Sequence, residues 1–135
     1  MTRVSYTLNS ENNKKLVKAL KESSKNLEKN INEYLHVKGS QKIVEAIISF
    51  MPISKRKKKH ARDLNPLKVD KFNLGIDVYA KGGAANKKRS FGYLVFPNEG
   101  RGAHNPIAQE FFQRGLKSKE EVLFNDILKI IKENL

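Results

Sequence analysis

Alternation of apolar and polar positions near the N-terminus predicts a short β-strand. Val4, Tyr6 and Leu8 fall on one face of residues 3–8, the period-two pattern of a half-buried strand. Farther along, the spacing between apolar residues changes to three, four or seven, which predicts an amphipathic helix. The apolar face of that helix comprises Leu16, Leu20, Leu27, Ile31, Tyr34 and Leu35.

A second, shorter helix is predicted over Gln41–Phe50. Gly39 and Ser40 interrupt the preceding helical pattern, and Pro52 ends the second helix. The following stretch, residues 53–66, is rich in basic side chains and poor in apolar ones, so we expect a solvated loop there. Its basic run consists of Lys55, Arg56, Lys57, Lys58, Lys59 and Arg62.

The clearest strand pattern lies at Phe72–Tyr79, where apolar residues occupy alternate positions. Glycine-bearing turn residues follow at 81–86, and Ser90–Phe96 has the composition of a second strand. The two segments predict an antiparallel β-hairpin, with Phe72, Leu74, Ile76 and Val78 on one face of its first strand. Pro97 is expected to end the second strand.

Two C-terminal helices are predicted after the hairpin. Asn105 and Pro106 are suited to open the first, and Gly115 to close it. Ser118 and Glu121 then form a capping-box pattern for the last helix. Its predicted buried residues are Val122, Phe124, Ile127, Leu128, Ile131 and Leu135. The fold class we expect is α+β: N-terminal helices and a C-terminal helix packed on a small antiparallel sheet that contains a hairpin.

Length and charge narrow the class of protein. At 135 residues the chain has the size of one domain, and it contains no cysteine for disulfides or thiolate metal sites. Its net charge is +13, and residues 1–62 hold 15 Lys or Arg against 5 Asp or Glu. Such an excess favours an acidic partner, either nucleic acid, an anionic membrane surface or an acidic protein face. Residues 43–51, the longest apolar stretch, contain Glu45 and Ser49, so no membrane span is expected.

Catalytic and metal sites have little support in the sequence. His36, His60 and His104 occur singly, without the short spacing of metal-binding motifs. A metal-dependent nuclease is the weakest alternative, and it would draw its carboxylates from Asp63, Asp70, Asp77 and Glu99. We therefore expect a protein without catalytic residues, metal or cofactor. The basic run, by contrast, suits sequence-independent binding of phosphates.

The order of several segments resembles the minor tail-component, or tail-completion, family of long-tailed bacteriophages. The similarity covers residues 40–135 and rests on Pro52-Ile53-Ser54, the basic run, Leu74–Val78, Phe91–Gly100 and Asn105-Pro106. That family has a basic stretch after a proline, a hairpin, an aromatic strand ending near an acidic residue and glycine, and a C-terminal helix. The arginine-threonine-glycine turn found in many members is replaced here by Ser54-Lys55-Arg56-Lys57.

The resemblance implies a structural protein of the virion neck that joins the head connector to the tail as a ring of copies and is assembled in the host cytoplasm. The implied partners are further copies of the chain and the neighbouring connector and tail proteins, with no membrane involved. The basic run would face an acidic neighbour or DNA in the channel. Inter-subunit contacts are expected at Phe96, Asn98, Glu99 and Arg101. The alternative is an accessory protein that binds nucleic acid non-specifically through the basic run.

Overall fold

The computed structural model describes residues 3–8, 25–51, 66–82, 94–100 and 108–133. Helices and a small antiparallel sheet make up these residues, which confirms the predicted α+β class. In chain order the elements are β1 (Arg3–Thr7), α1 (Lys25–Tyr34), a π-helical turn (Leu35–Gly39), α2 (Ser40–Phe50), β2 (Leu67–Phe72), β3 (Gly75–Ala80), α3 (Val95–Glu99) and α4 (Phe111–Glu133).

The sheet has three strands in the order β1-β3-β2, and both neighbours run antiparallel to β3. Val78 of β3 pairs with Val4 on one side and with Val69 on the other, so this row lies on the inner face of the sheet. Ile76 and Val78 are fully buried there. The predicted strand at residues 3–8 is confirmed, and its alternation places Val4 and Leu8 in the core.

The helices cover the inner face of the sheet and contribute most of the core. Leu27, Ile31 and Leu35 are fully buried, which confirms the predicted apolar face of the first helix within the described residues. α2 packs most extensively on α4, where Ile47 is fully buried. The buried residues of α4 are Phe111, Phe112, Gly115, Leu123, Ile127 and Ile131. Within the described ranges, no helix combines the length and apolarity needed to cross a membrane.

The predicted hairpin was wrong in its strands. The observed hairpin joins β2 to β3 through the two-residue turn Asn73–Leu74. Phe72 pairs with Gly75 on the outer face of the sheet, and it therefore does not share the inner face with Ile76 and Val78. Of the predicted second strand, Ser90–Phe96, residues 90–93 lie outside the described residues, and Val95 and Phe96 belong to the short helix α3 rather than to a strand. Pro97 lies in the first turn of that helix, where a proline is tolerated because its missing N–H would have no helical partner.

The predicted helix end at Gly115 was also wrong. α4 runs without interruption from Phe111 to Glu133, and residues 108–110 before it are not helical. Ser118 does not cap a new helix; its hydroxyl donates to the carbonyl of Gly115 at 2.8 Å, within α4. Leu123 is buried in place of Val122, which remains 37% exposed. Asn105, Pro106 and Leu135 lie outside the described residues.

The interruption predicted at Gly39 is a change of helix type rather than an end. The chain passes from α1 through the π-helical turn into α2 without leaving helical backbone geometry. The Ser40 hydroxyl lies 3.1 Å from the carbonyl oxygen of His36 and 3.0 Å from that of Val37, so it can donate to the carbonyls of the wider turn. α2 then ends at Phe50, close to the predicted boundary. Residues 53–65 of the predicted basic loop lie outside the described part of the chain.

Candidate functional site

Two backbone irregularities meet on one side of the molecule. The first is the π-helical turn, a rare geometry that is found frequently at functional sites. The second is Leu74, whose φ of 57° lies in the left-handed region that non-glycine residues seldom adopt. His36 joins them, because its Nε2 lies 2.8 Å from the carbonyl oxygen of Phe72. Since a carbonyl oxygen only accepts, Nε2 carries the proton in this contact.

Hydrogen bonds on both backbone groups hold Leu74 in place. Its N–H donates to Asn32 Oδ1 at 2.7 Å, and its carbonyl accepts from the N–H of Leu8 at 2.9 Å. The other end of the Asn32 amide donates to Asn73 Oδ1 at 3.0 Å. A left-handed residue costs roughly 1–2 kcal/mol and persists where its surroundings fix it. The β2–β3 turn is therefore fastened to α1 and to Leu8, the residue that follows β1.

Val37 projects from the π-helical turn between two surface grooves. It is 61% exposed, against 39% for Phe72 and 37% for Val122, the other exposed large hydrophobic residues in the described part of the chain. One groove, of about 570 Å³, lies between the π-helical turn and the C-terminal half of α4. The other, of about 630 Å³, lies towards β2 and includes His36 and Lys71. We call Val37 and the residues lining these two grooves the Val37 surface.

Charges of both signs line the two grooves in nearly equal number. Three lysines face three acidic residues in the groove beside α4, namely Lys38, Lys42 and Lys129 with Glu33, Asp126 and Glu133. The groove towards β2 has Lys29 and Lys71 with Glu28 and Glu33. This balance contrasts with the net charge of +13 for the whole chain. The surface therefore suits a neutral or mixed-charge partner better than a polyanion.

A hydrogen-bonded cluster of Tyr34, Lys42 and Asp126 lines the groove beside α4. Asp126 Oδ2 accepts from the Tyr34 hydroxyl at 2.5 Å and from Lys42 Nζ at 2.6 Å. The Lys42 ammonium also lies 5.7 Å from the centre of the Tyr34 ring. Desolvation raises the pKa of Asp126, but the hydrogen bonds from Lys42 and Tyr34 outweigh it and lower that pKa overall. Burial, followed by the bond to Asp126, raises the pKa of Tyr34 above its ordinary value.

The outer face of the sheet brings together two carboxylates considered for a nuclease. Asp70 and Asp77 are paired in register across β2 and β3. Asp77 accepts from Ser5 and from Arg3, whose guanidinium also stacks over Tyr79 at 4.3 Å, and Asp70 accepts from the Tyr79 hydroxyl at 3.0 Å. Asp63 lies outside the described residues. Among the residues that are described, no three His, Asp or Glu side chains are grouped to hold a metal ion.

Few of the site residues predicted from sequence fall in the described part of the chain. The whole basic run, Lys55–Arg62, and Arg101 lie outside it, as do His60 and His104. Phe96, Asn98 and Glu99 belong to α3. Asn98 is only 1% exposed, and its Oδ1 accepts from the backbone N–H of Phe112 at 3.1 Å. It thus caps the start of α4 from inside the chain and offers no surface to a neighbouring subunit.

The Val37 surface and the Tyr34–Asp126–Lys42 cluster were not predicted. Lys42 and Asp126 are 84 positions apart, so no local pattern connects them. The sequence predicts Tyr34 on the buried apolar face of the first helix. In the structure, Tyr34 lines the groove beside α4. Val37 carried one usable signal, since it is an apolar residue among the polar positions that follow Leu35.

Comparisons with known proteins do not add to this picture: no protein-family model, curated protein or solved structure matches the chain.

Proposed function

We propose that this chain is a non-enzymatic assembly protein whose role is to bind other proteins. The observation that carries the proposal is Val37, a large apolar side chain left 61% exposed on a surface that hydrogen bonds hold in place. Protein-binding surfaces have an apolar centre and a polar rim, and Val37 with the charged residues of the two grooves around it has this arrangement. The fixed positions of the π-helical turn and the β2–β3 turn reduce the entropy lost when a partner binds.

We further propose that the chain joins the head connector to the tail in the neck of a long-tailed bacteriophage, as a ring of copies. This step rests on the resemblance to the tail-completion family, and it makes the virion the place where the protein acts. The central strand β3 falls within the segment similar to that family. The chain differs from that family in one feature: Val95–Glu99 is helical, whereas the family has an aromatic strand in this region.

The basic run has a place in this proposal. In a ring around a channel, Lys55–Arg62 would face either an acidic neighbouring protein or the phosphates of DNA in the channel. Phe96, Glu99 and Arg101 remain proposed inter-subunit contacts. Asn98 would act indirectly, since its bond to Phe112 fixes α3 against α4.

The test is binding to the products of neighbouring genes. Genes for capsid, connector and tail-tube proteins beside the gene for this chain would agree with the proposal. Purified chain should then co-sediment with the connector or the tail tube, and negative-stain electron microscopy should show rings on their ends. A chain that binds neither component and restores no tailed particles in a complementation assay would overturn the neck assignment.

A nucleic-acid-binding accessory protein is the second candidate, favoured by the +10 charge excess in residues 1–62. It predicts binding of duplex DNA with an affinity that falls by orders of magnitude between low and physiological salt. Replacement of Lys55, Lys57, Lys58 and Lys59 by alanine should abolish that binding. As a matched control, four alanines at exposed lysines of α4 and β2, Lys117, Lys132, Lys68 and Lys71, remove the same charge elsewhere. Equal loss in both variants would point to net charge rather than to the basic run.

A further inference from the structure

We propose that the Val37 surface is a contact between copies of this chain. The inference deepens the proposed function, because it rests on the ring of copies and assigns one of its surfaces. The partner that binds this surface is a second copy of the chain, as the charge balance of the surface, the exposure of Val37 and the lack of ion pairs at Glu33 and Lys38 within the described residues indicate.

Net charge restricts where two copies can meet. Each chain carries +13, so two copies repel one another over most orientations. A stable contact requires a region where this repulsion is locally cancelled. The groove beside α4 provides it with three lysines and three acidic residues, and the groove towards β2 with two of each. Such a mixed surface is also complementary to a second surface of mixed charge.

Val37 gives this charge-balanced region an apolar centre. Its neighbours in the π-helical turn, Leu35 and Gly39, are buried, so the turn is anchored on one side and presents Val37 on the other. Glu33 and Lys38, which flank it, make no ion pair with any described residue. A partner can therefore cover these two charges without breaking an ion pair within the described part of the chain. An apolar centre with a charged rim is the common anatomy of contacts between proteins.

The outer face of the sheet is less suitable for the same role. Phe72 is exposed there, but Asp77 is already bonded to Arg3 and Ser5, and Asp70 to Tyr79. A partner would have to break these bonds or bind beside them. On the Val37 surface, Asn32, Tyr34, His36, Lys42 and Asp126 are also hydrogen-bonded, but the apolar centre, Val37, has no side-chain bond that a partner would have to break.

The experiment is sedimentation velocity of the full-length chain over a range of concentrations. Wild-type protein should associate, and Val37→Asp should raise the concentration needed at least tenfold. Val122→Asp is the matched control, since it places the same charge at another exposed valine, and it should associate like wild type. Circular dichroism and thermal unfolding of both variants establish that they are folded.

Charge reversal gives a second, independent measurement. Glu33→Lys makes the local charge more positive by two, so association should weaken at low salt and recover as salt screens the added repulsion. Glu121→Lys, at an exposed position of α4 away from the grooves, adds the same charge and should have a much smaller effect. Equal effects of the two reversals would mean that total charge, not the Val37 surface, governs association.

The outcomes separate this inference from the proposed function. Wild-type association that Val37→Asp and Glu33→Lys leave unchanged would overturn the inference, while rings on the connector would still support the neck assignment. A wild-type chain that stays monomeric at every concentration would overturn the inference as well. A two-fold dimer that Val37→Asp weakens would support the Val37 surface and count against a ring.

Discussion

Gly115 of α4 lies directly against the backbone of Ile47 in α2. A β-carbon at position 115 would come within 2.5 Å of Ile47 Cγ1 and 2.7 Å of its Cα and N. Real β-carbons do not approach other atoms so closely, and two of the three neighbours are backbone atoms that cannot rotate away. Glycine is therefore required here by the crossing of two helices, in the middle of a continuous helix.

We expect Gly115→Ala to destabilise the protein. In a helix interior, alanine is more favourable than glycine by about 1 kcal/mol. A methyl group at this position would, however, overpack against Ile47 and push the two helices apart, which costs roughly 1–3 kcal/mol. Urea unfolding should give a net loss of up to about 2 kcal/mol. The control Gln113→Ala, at an exposed position two residues earlier, should stay within about 0.5 kcal/mol of wild type. A stabilised Gly115→Ala variant would contradict the close crossing.

Asn32 offers a test of how the β2–β3 turn is held. Asn32→Ala removes the acceptor of the Leu74 N–H and the donor to Asn73. The expected loss is about 1–2 kcal/mol in urea unfolding, together with faster hydrogen exchange at the Leu74 amide. Asn26→Ala, at an exposed position of α1, is the control and should change neither quantity appreciably. Unchanged exchange at Leu74 in the Asn32 variant would contradict the proposed fastening.

Asp126 should make part of the stability dependent on acid pH. Its pKa is lower in the folded chain than in the unfolded one, so its contribution is complete above the ordinary pKa near 4 and is lost as the pH falls through the lower, folded value. Asp126→Asn should cost about 1 kcal/mol at neutral pH. Below about pH 4 the unfolding free energies of the variant and of wild type should converge. Parallel curves would show that Lys42 and Tyr34 do not favour the ionised form.

Tyr6 should lower stability at alkaline pH. Burial, followed by the charge of Glu120, raises the pKa of Tyr6 to about 12. A raised pKa means that the stabilisation is complete below the ordinary value near 10 and disappears as the pH rises from there to about 12. In an ultraviolet titration, the difference between wild type and Tyr6→Phe should therefore develop near pH 12. Glu120→Gln should lower that midpoint only in part, since burial is the larger cause.

Local patterns predicted the elements whose periodicity and burial agree. β1 was identified because its alternating residues are half-buried, and α2 because Pro52 follows an apolar helical pattern. The α+β class followed from the same signals. These elements contain few residues with an unusual backbone, so propensity and tertiary structure act in the same direction.

The errors occurred where packing overrode local signals. Leu74 carries no turn signature, and its left-handed backbone is held by Asn32 and Leu8, which are distant in sequence. Gly115 was interpreted as a helix end because glycine usually marks one, whereas Ile47 is what requires it. The candidate site could not be predicted for the same reason: Tyr34 and Asp126 meet only once α1 and α4 pack.

The strand order β1-β3-β2 has a consequence for the newly made chain on the ribosome. β1 is synthesised well before β3, yet β3 is its only strand partner among the described elements, and Arg3 pairs with Tyr79. β1 must wait with an open edge until the residues of β3, Gly75–Ala80, have been translated. An unpaired strand edge is a site of misassociation, and this interval is the period when the nascent chain most needs protection by chaperones.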